Sequence, residues 1–117
     1  MHELSIVFYI RDQVKDIAKE NNVKRVNSIT LEIGEVSMVI PEQLEDCWKW
    51  ICTKEEVLTD CKLKYDIIKA ISYCKDCDKQ FPTVENGKTC PYCGGTHTYL
   101  LANEYKDVKI KEIEVTA

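Results

Sequence analysis

Two Cys-x-x-Cys pairs constrain the fold of this chain more than any other feature of its sequence. Cys74 and Cys77 form the first pair and Cys90 and Cys93 the second, with residues 78–89 between them. Each pair places two thiolates on one tight turn, and the intervening segment lets the second turn fold back over the first. Four thiolates then complete the tetrahedron that structural Zn(II) prefers. A mononuclear iron centre of the rubredoxin type is the main alternative.

The other residues near these pairs, and the other cysteines, have simpler interpretations. Gly94 and Gly95 permit the positive φ angles that such turns require. Four thiolates saturate zinc, so His97 is expected to face solvent or to lie beside the ligands. The remaining cysteines of the seven are interpreted as small buried hydrophobic residues: Cys47, Cys52 and Cys61.

Length and charge exclude several classes of protein. The chain has 117 residues, 44% of them hydrophobic. This suits one compact domain, or one domain that carries a small segment stabilised by a bound metal. Its 16 basic and 20 acidic residues give a net charge of -4 without a basic cluster, so no nucleic-acid partner is expected.

The sequence contains no apolar stretch of about 20 residues and no signal peptide, which predicts a cytoplasmic protein without a membrane span. It also lacks a phosphate loop and a nucleophile elbow, so it is not expected to be an enzyme.

The N-terminal half predicts helix, strand and helix. Gly34 ends the strand, and Pro41 suits the first turn of the second helix. Asn21 and Asn22 tolerate the left-handed conformation in which the first helix ends. The apolar positions recur every three or four residues in the helices and every two in the strand. They are Leu4, Val7, Phe8, Val14, Ile17 and Ala18, then Ile29, Leu31 and Ile33, then Leu44, Cys47, Trp48, Ile51 and Cys52.

The C-terminal half predicts two further strands with the cysteine segment between them. Cys61, Leu63, Tyr65 and Ile67 alternate with polar residues up to the first cysteine pair. In the last strand, from Tyr105 to Val115, apolar residues change from even to odd positions, which predicts a β-bulge near Lys111 and Glu112. The fold class is therefore α/β (α+β), with two helices on a three-stranded sheet interrupted by a four-cysteine insertion. The expected boundaries are 1–72, 73–100 for the insertion, and 101–117.

Residues Met1, His2 and Glu3 form a second candidate metal site. Because His2 is large, Met1 is expected to be retained with its amine free. This amine, the backbone nitrogen of His2 and its imidazole can close adjacent chelate rings, with Glu3 completing the set. Such nitrogen-rich, planar sites suit Ni(II) or Cu(II) better than zinc. On its own the pattern is also compatible with a solvated terminal histidine.

The order of these motifs resembles one known family over the whole chain. The opening Met1-His2-Glu3, the strand ending in Ile33-Gly34-Glu35-Val36-Ser37, the segment Val39 to Leu44 and the two Cys-x-x-Cys pairs are similar to the HypA/HybF family of nickel metallochaperones. The resemblance implies a nickel-binding domain built from the two ends of the chain and an inserted zinc domain. It assigns nickel to Met1, His2 and Glu3, and zinc to Cys74, Cys77, Cys90 and Cys93.

The same resemblance implies partners and a cargo. Ni(II) would be a transient cargo delivered to the [NiFe]-hydrogenase large subunit precursor together with the GTPase HypB. In some organisms nickel would also reach urease, which would add urease maturation proteins as partners. Some members have an aspartate near the position of Ile40 and a histidine near that of Ile17, and neither is present here. The alternative function is a zinc-ribbon adaptor or interaction protein without nickel.

Overall fold

The structure is a computed structural model that describes residues 3–116. Its elements in chain order are α1 (Glu3–Glu20), β1 (Arg25–Gly34), α2 (Pro41–Cys52), β2 (Lys62–Ile68), β3 (Ile71–Cys74), β4 (Lys79–Pro82), α3 (Thr83–Asn86), β5 (Thr98–Leu100) and β6 (Val108–Thr116). Short 3₁₀ turns at Glu56–Leu58 and Asn103–Lys106 precede β2 and β6. The strands form two three-stranded sheets, so the mixed α/β class expected from the sequence is confirmed.

The first helix buries a stripe slightly different from the predicted one. Its buried residues are Ile6, Val7, Ile10, Val14 and Ala18. Leu4 and Ile17 were expected in the stripe but are 36% and 40% exposed, because they lie at the margins of the helix face that meets the core. The helix ends as predicted, with Asn22 at a φ of 54°.

The second helix begins with Pro41 in its first turn and packs its apolar face on the same core. Trp48 is buried whereas Trp50 is exposed, as expected for residues two positions apart on a helix. The indole nitrogen of Trp48 donates a hydrogen bond to the carbonyl of Cys61 over 3.2 Å. This bond joins α2 to the start of β2.

The larger sheet has the strand order β2-β1-β6. β1 and β2 are parallel and are connected through α2, while β1 and β6 are antiparallel. The predicted bulge is confirmed. Leu31 faces Ile110, and Thr30, the residue before Leu31, faces Glu112, which leaves Lys111 as the extra residue. Both helices and β1, β2 and β6 contribute to one hydrophobic core, in which Ile29, Leu31 and Ile33 are fully buried.

The smaller sheet has the order β4-β3-β5 and is antiparallel throughout. Its strands have only three or four residues. The sequence pattern did not predict β4, β5 or the single turn α3, and it extended β2 almost to Cys74 without separating β3 from it. The chain is elongated, with principal extents of 55 × 25 × 16 Å. Within residues 3–116, none of the helices combines the length and apolar character that a membrane crossing needs.

Candidate metal centre

The four paired cysteines lie together in the smaller sheet. Their sulfur atoms are all within 4.8 Å of one another, with Cys74 and Cys90 buried and Cys93 exposed. The Cys74 and Cys93 sulfurs are 3.6 Å apart, as are those of Cys77 and Cys90. These separations are far longer than the roughly 2.05 Å of a disulfide bond. The structure therefore brings together the four side chains that the sequence proposed as a set.

The two cysteine turns have matching backbone geometry. In the first turn the N–H of Asp78 donates to the carbonyl of Cys74 over 2.8 Å, and in the second the N–H of Gly94 donates to that of Cys90 over 2.9 Å. Asp78 and Gly94 each come four residues after the first cysteine of their pair, and each has a positive φ, 58° and 74°. The positive φ at the glycine was predicted from the sequence and that at the aspartate was not, although Asp is among the few residues that tolerate this conformation.

Backbone N–H groups point at the sulfur atoms. Tyr92 donates to Cys90 and Gly95 to Cys93, each over 3.4 Å. Burial alone would raise the pKa of the Cys90 thiol, but the hydrogen bonds from the backbone of Cys93 and Tyr92 outweigh it and lower the pKa to about 7. Burial, together with hydrogen bonding among the thiols, raises the pKa of Cys77 to about 12. The backbone N–H donors lower the pKa of Cys90 and so favour its thiolate, the form that binds a metal, whereas the Cys77 thiol has to lose its proton when a metal binds.

The cluster fits a metal held by four thiolates. A zinc-sulfur bond of about 2.3 Å implies sulfur atoms about 3.8 Å apart in a tetrahedron, close to the 3.6 Å between the sulfurs of Cys74 and Cys93 and between those of Cys77 and Cys90. Because all four positions would be filled by protein, such a site is closed to substrate and stabilises the fold. An iron-sulfur tetrahedron has similar dimensions, so geometry alone does not separate the two metals.

The residues around the four cysteines pack against them or face solvent. In the part of the chain that the structure describes, Phe81 is the one large side chain buried with the cysteines, and Ser72 is hydrogen-bonded to Thr83 over 2.6 Å in the same sheet region. His97 faces solvent, as expected, with Nδ1 3.1 Å from the carboxylate of Asp76. It does not join the thiol cluster.

Of the remaining cysteines, Cys61 is buried in the core of the larger sheet as expected, whereas Cys47 and Cys52 are only partly buried against that core. Within residues 3–116, the paired cysteines are the one cluster of three or more metal-binding side chains. Burial is the main cause that raises the pKa of the Cys52 thiol to about 11, and the negative charge of Asp60 adds to it. Burial is also the main cause that raises the pKa of the Cys61 thiol to about 12, and the neighbouring Cys52 adds to it. Both thiols stay protonated near neutral pH, as expected of small hydrophobic residues.

Glu3 is the one member of the terminal trio that the structure describes. Met1 and His2 lie outside the described residues. Glu3 begins α1, and its Oε2 accepts a hydrogen bond from the backbone N–H of Ile40 over 3.4 Å. The N-terminus of α1 therefore meets the loop before α2. Ile17 lies fourteen residues further along α1, roughly 21 Å away at 1.5 Å per residue.

Known proteins are similar to this chain over almost its whole length. A "Hydrogenase maturation factor HypA" from Geotalea uraniireducens is 34% identical over 116 residues, which are 98% of this chain and 99% of that protein. One of the same name from Actinobacillus succinogenes is 32% identical over 115 residues, 98% and 99% of the two chains.

A solved structure has a similar fold. The solution structure of the Ni metallochaperone HypA from Helicobacter pylori superposes with a TM-score of 0.73 at 22% identity, covering 100% of this chain and 99% of that one. A family model described as "Hydrogenase/urease nickel incorporation, metallochaperone, hypA" matches residues 1–115. With a match of this extent and relatives above 30% identity, the chain belongs to the HypA family of nickel-incorporation metallochaperones.

Proposed function

We propose that this protein is a cytoplasmic nickel metallochaperone that binds Ni(II) at its N-terminus and delivers it to the [NiFe]-hydrogenase large subunit precursor. The observation that carries the proposal is the family match over residues 1–115, which includes the terminal trio as well as all four paired cysteines. The protein is not an enzyme in this proposal, because it moves a metal ion and transforms no substrate.

The two metals have separate roles in this proposal. Cys74, Cys77, Cys90 and Cys93 hold a structural zinc ion, supported by the tetrahedral spacing of their sulfurs. The zinc organises residues 73–100 as an insertion between the two parts of the nickel-binding domain, 1–72 and 101–117. The separate cores of the two sheets support a division of this kind, although β3 of the smaller sheet already begins at Ile71, two residues before the proposed boundary.

Nickel is the cargo, held by Met1, His2 and Glu3. The Met1 amine, the His2 amide and imidazole nitrogens, and a nitrogen or carboxylate of Glu3 form a nitrogen-rich set that suits Ni(II). The contact between Glu3 and the Ile40 backbone supports an exposed site between α1 and the loop before α2. An exposed site favours transfer, because thiolates of the client can replace the nitrogen ligands stepwise.

Delivery involves the GTPase HypB and the hydrogenase precursor, and urease maturation proteins are a second possible destination. The names of the curated relatives refer to hydrogenase, and the family description includes urease. Mixing nickel-loaded protein with each purified precursor and measuring nickel in the separated proteins identifies the client.

Calorimetric titration with nickel tests the terminal site directly. The sample is untagged, zinc-loaded protein whose mass confirms a free Met1, because a residual tag acylates the amine. We expect His2→Gln to weaken nickel binding at least about tenfold, since it removes the imidazole from the chelate while its large side chain keeps Met1 in place. Affinity should also fall as the pH drops through about 6.5, where protons compete for the imidazole.

The chain has two histidines, so His97→Gln is the matched control. It removes the same side chain from an exposed position beside Asp76, and nickel binding should remain unchanged. Equal nickel affinity of His2→Gln and wild type would contradict the terminal site. If the wild type bound zinc but no nickel, the zinc-ribbon adaptor would be the better function.

A further inference from the structure

The outer edge of β6 carries a pattern that the nickel function does not use. Within residues 3–116, β6 is paired with β1 on one side and with no strand on the other. Its sequence from 108 to 115 is Val-Lys-Ile-Lys-Glu-Ile-Glu-Val, in which the first half is basic and the second half acidic. An unpaired edge of this length normally has to be protected from pairing with another chain.

The bulge sorts these side chains onto two faces. Because Lys111 is the extra residue, the apolar residues on both sides of it face Leu31 and Ile29 in the core layer. The charged residues lie on the opposite face, where Lys111 reaches Asp66 over 3.2 Å. On the same face Glu114 is 3.3 Å from Lys64.

We propose that β6 is a self-association surface that pairs antiparallel with β6 of a second copy of this chain. The two-fold axis passes between Lys111 and Glu112, perpendicular to the sheet, and joins the two larger sheets into one of six strands. In this register each basic residue faces an acidic one and each apolar residue faces another. The cross-strand pairs are Val108 with Val115, Lys109 with Glu114, Ile110 with Ile113, and Lys111 with Glu112, each formed twice.

The bulge is what makes this register geometrically consistent. In a regular strand, successive side chains point to opposite faces, so an axis between two residues would place paired side chains on different faces. The extra residue puts Lys111 and Glu112 on the same face and removes that conflict. Shifting the axis by half a residue either way would place Lys111 opposite Lys111 or Glu112 opposite Glu112, which is destabilising.

An apolar groove beside the edge supports a second copy as the occupant. Tyr9 and Ile17 of α1 are 57% and 40% exposed, and they line grooves with Val108 and Ile110 of β6. The groove that contains Tyr9 and Ile10 has a volume of about 310 Å³. Because the axis is perpendicular to the sheet, α1 of the second copy lies on the same face and can cover these residues.

Charge reversal tests the pairing. The acidic-strand variant combines Lys109→Glu with Lys111→Glu, and the basic-strand variant combines Glu112→Lys with Glu114→Lys. Sedimentation equilibrium of zinc-loaded, nickel-free protein at low salt should show the wild type dimerising at concentrations below about 1 mM. Each variant alone should associate at least about tenfold more weakly, because four pairs become like-charged. An equimolar mixture should restore the dimer as a heterodimer.

The control is Lys49→Glu with Lys62→Glu, which makes the same change in net charge as the acidic-strand variant at exposed positions in α2 and at the start of β2, the other edge of the sheet. It should dimerise like the wild type. Amide exchange in β6 of the wild type should also slow as its concentration rises. A wild type that remains monomeric, variants that dimerise normally, or a mixture that stays monomeric would each overturn the proposal. No nickel is used, so the result does not depend on the proposed nickel site.

Discussion

Gly34 shows how one residue fixes the junction between β1 and the segment that follows the smaller sheet. Its N–H donates to the carbonyl of Asp107 over 2.9 Å, and the N–H of Val36 donates to that of Tyr105 over 3.0 Å. These bonds bring the backbone of Tyr105 so close that a Cβ on Gly34 would overlap its carbonyl group. A side chain at position 34 therefore requires the backbone to move.

Gly34→Ala should lower the free energy of unfolding by about 2 kcal/mol or more, because the clash is with backbone and cannot be relieved by a rotamer change. In a domain of this size the melting temperature should fall by roughly 8 °C or more. Thermal unfolding of zinc-loaded protein, followed by circular dichroism, measures the effect.

Ser28→Ala on the same strand is the control. Ser28 is buried, and its hydroxyl has no hydrogen-bond partner within residues 3–116. Removing an unpaired hydroxyl should leave stability within about 1 kcal/mol of wild type. Equal melting temperatures for Gly34→Ala and wild type would show that the Tyr105 backbone can move without cost.

At the scale of elements, β6 shows what a sequence pattern can determine. The change of its apolar residues from even to odd positions predicts the bulge, because side chains on a strand must alternate and one face is buried. The same reasoning located β1 and the two helices. It misplaced Leu4 and Ile17, because helical periodicity identifies an apolar stripe but not which of its margins packs against the core.

Deleting Lys111 should be tolerated, since the remaining sequence alternates without interruption and keeps Val108 and Ile110 on the core face. We expect a loss in the free energy of unfolding of less than about 1 kcal/mol. Deleting Lys109 removes the same residue type from the same strand but forces Val108 or Ile110 out of the core. Its cost should be about 2 kcal/mol. Urea titrations of both variants give these values, and a larger loss for the Lys111 deletion would mean that the bulge itself is required.

At the scale of the whole molecule, the two sheets depend on different sources of stability. The larger sheet buries a core shared by both helices, whereas the core of the smaller one consists of Cys74, Phe81 and Cys90, with Cys77 packed against it. This difference also explains what sequence analysis could find. The cysteine spacing predicted the cluster, but strands as short as β4 and β5 have no alternation to detect, since the cysteine turns and not apolar burial position them.

Loss of zinc should therefore unfold the smaller sheet and leave the larger one folded. Three of its four core side chains are proposed ligands, so without metal little apolar burial remains to offset the conformational entropy of residues 71–100. Cys90→Ser should release zinc and make Lys75, Lys79 and Lys88 susceptible to trypsin, while residues 3–68 remain resistant. Cys47→Ser, a cysteine outside the cluster, should keep the metal and the protection. Hydrogen exchange measured by mass spectrometry locates the unfolded segment in each variant. Faster exchange across β1 and α2 in Cys90→Ser would instead mean that both sheets unfold as one cooperative unit.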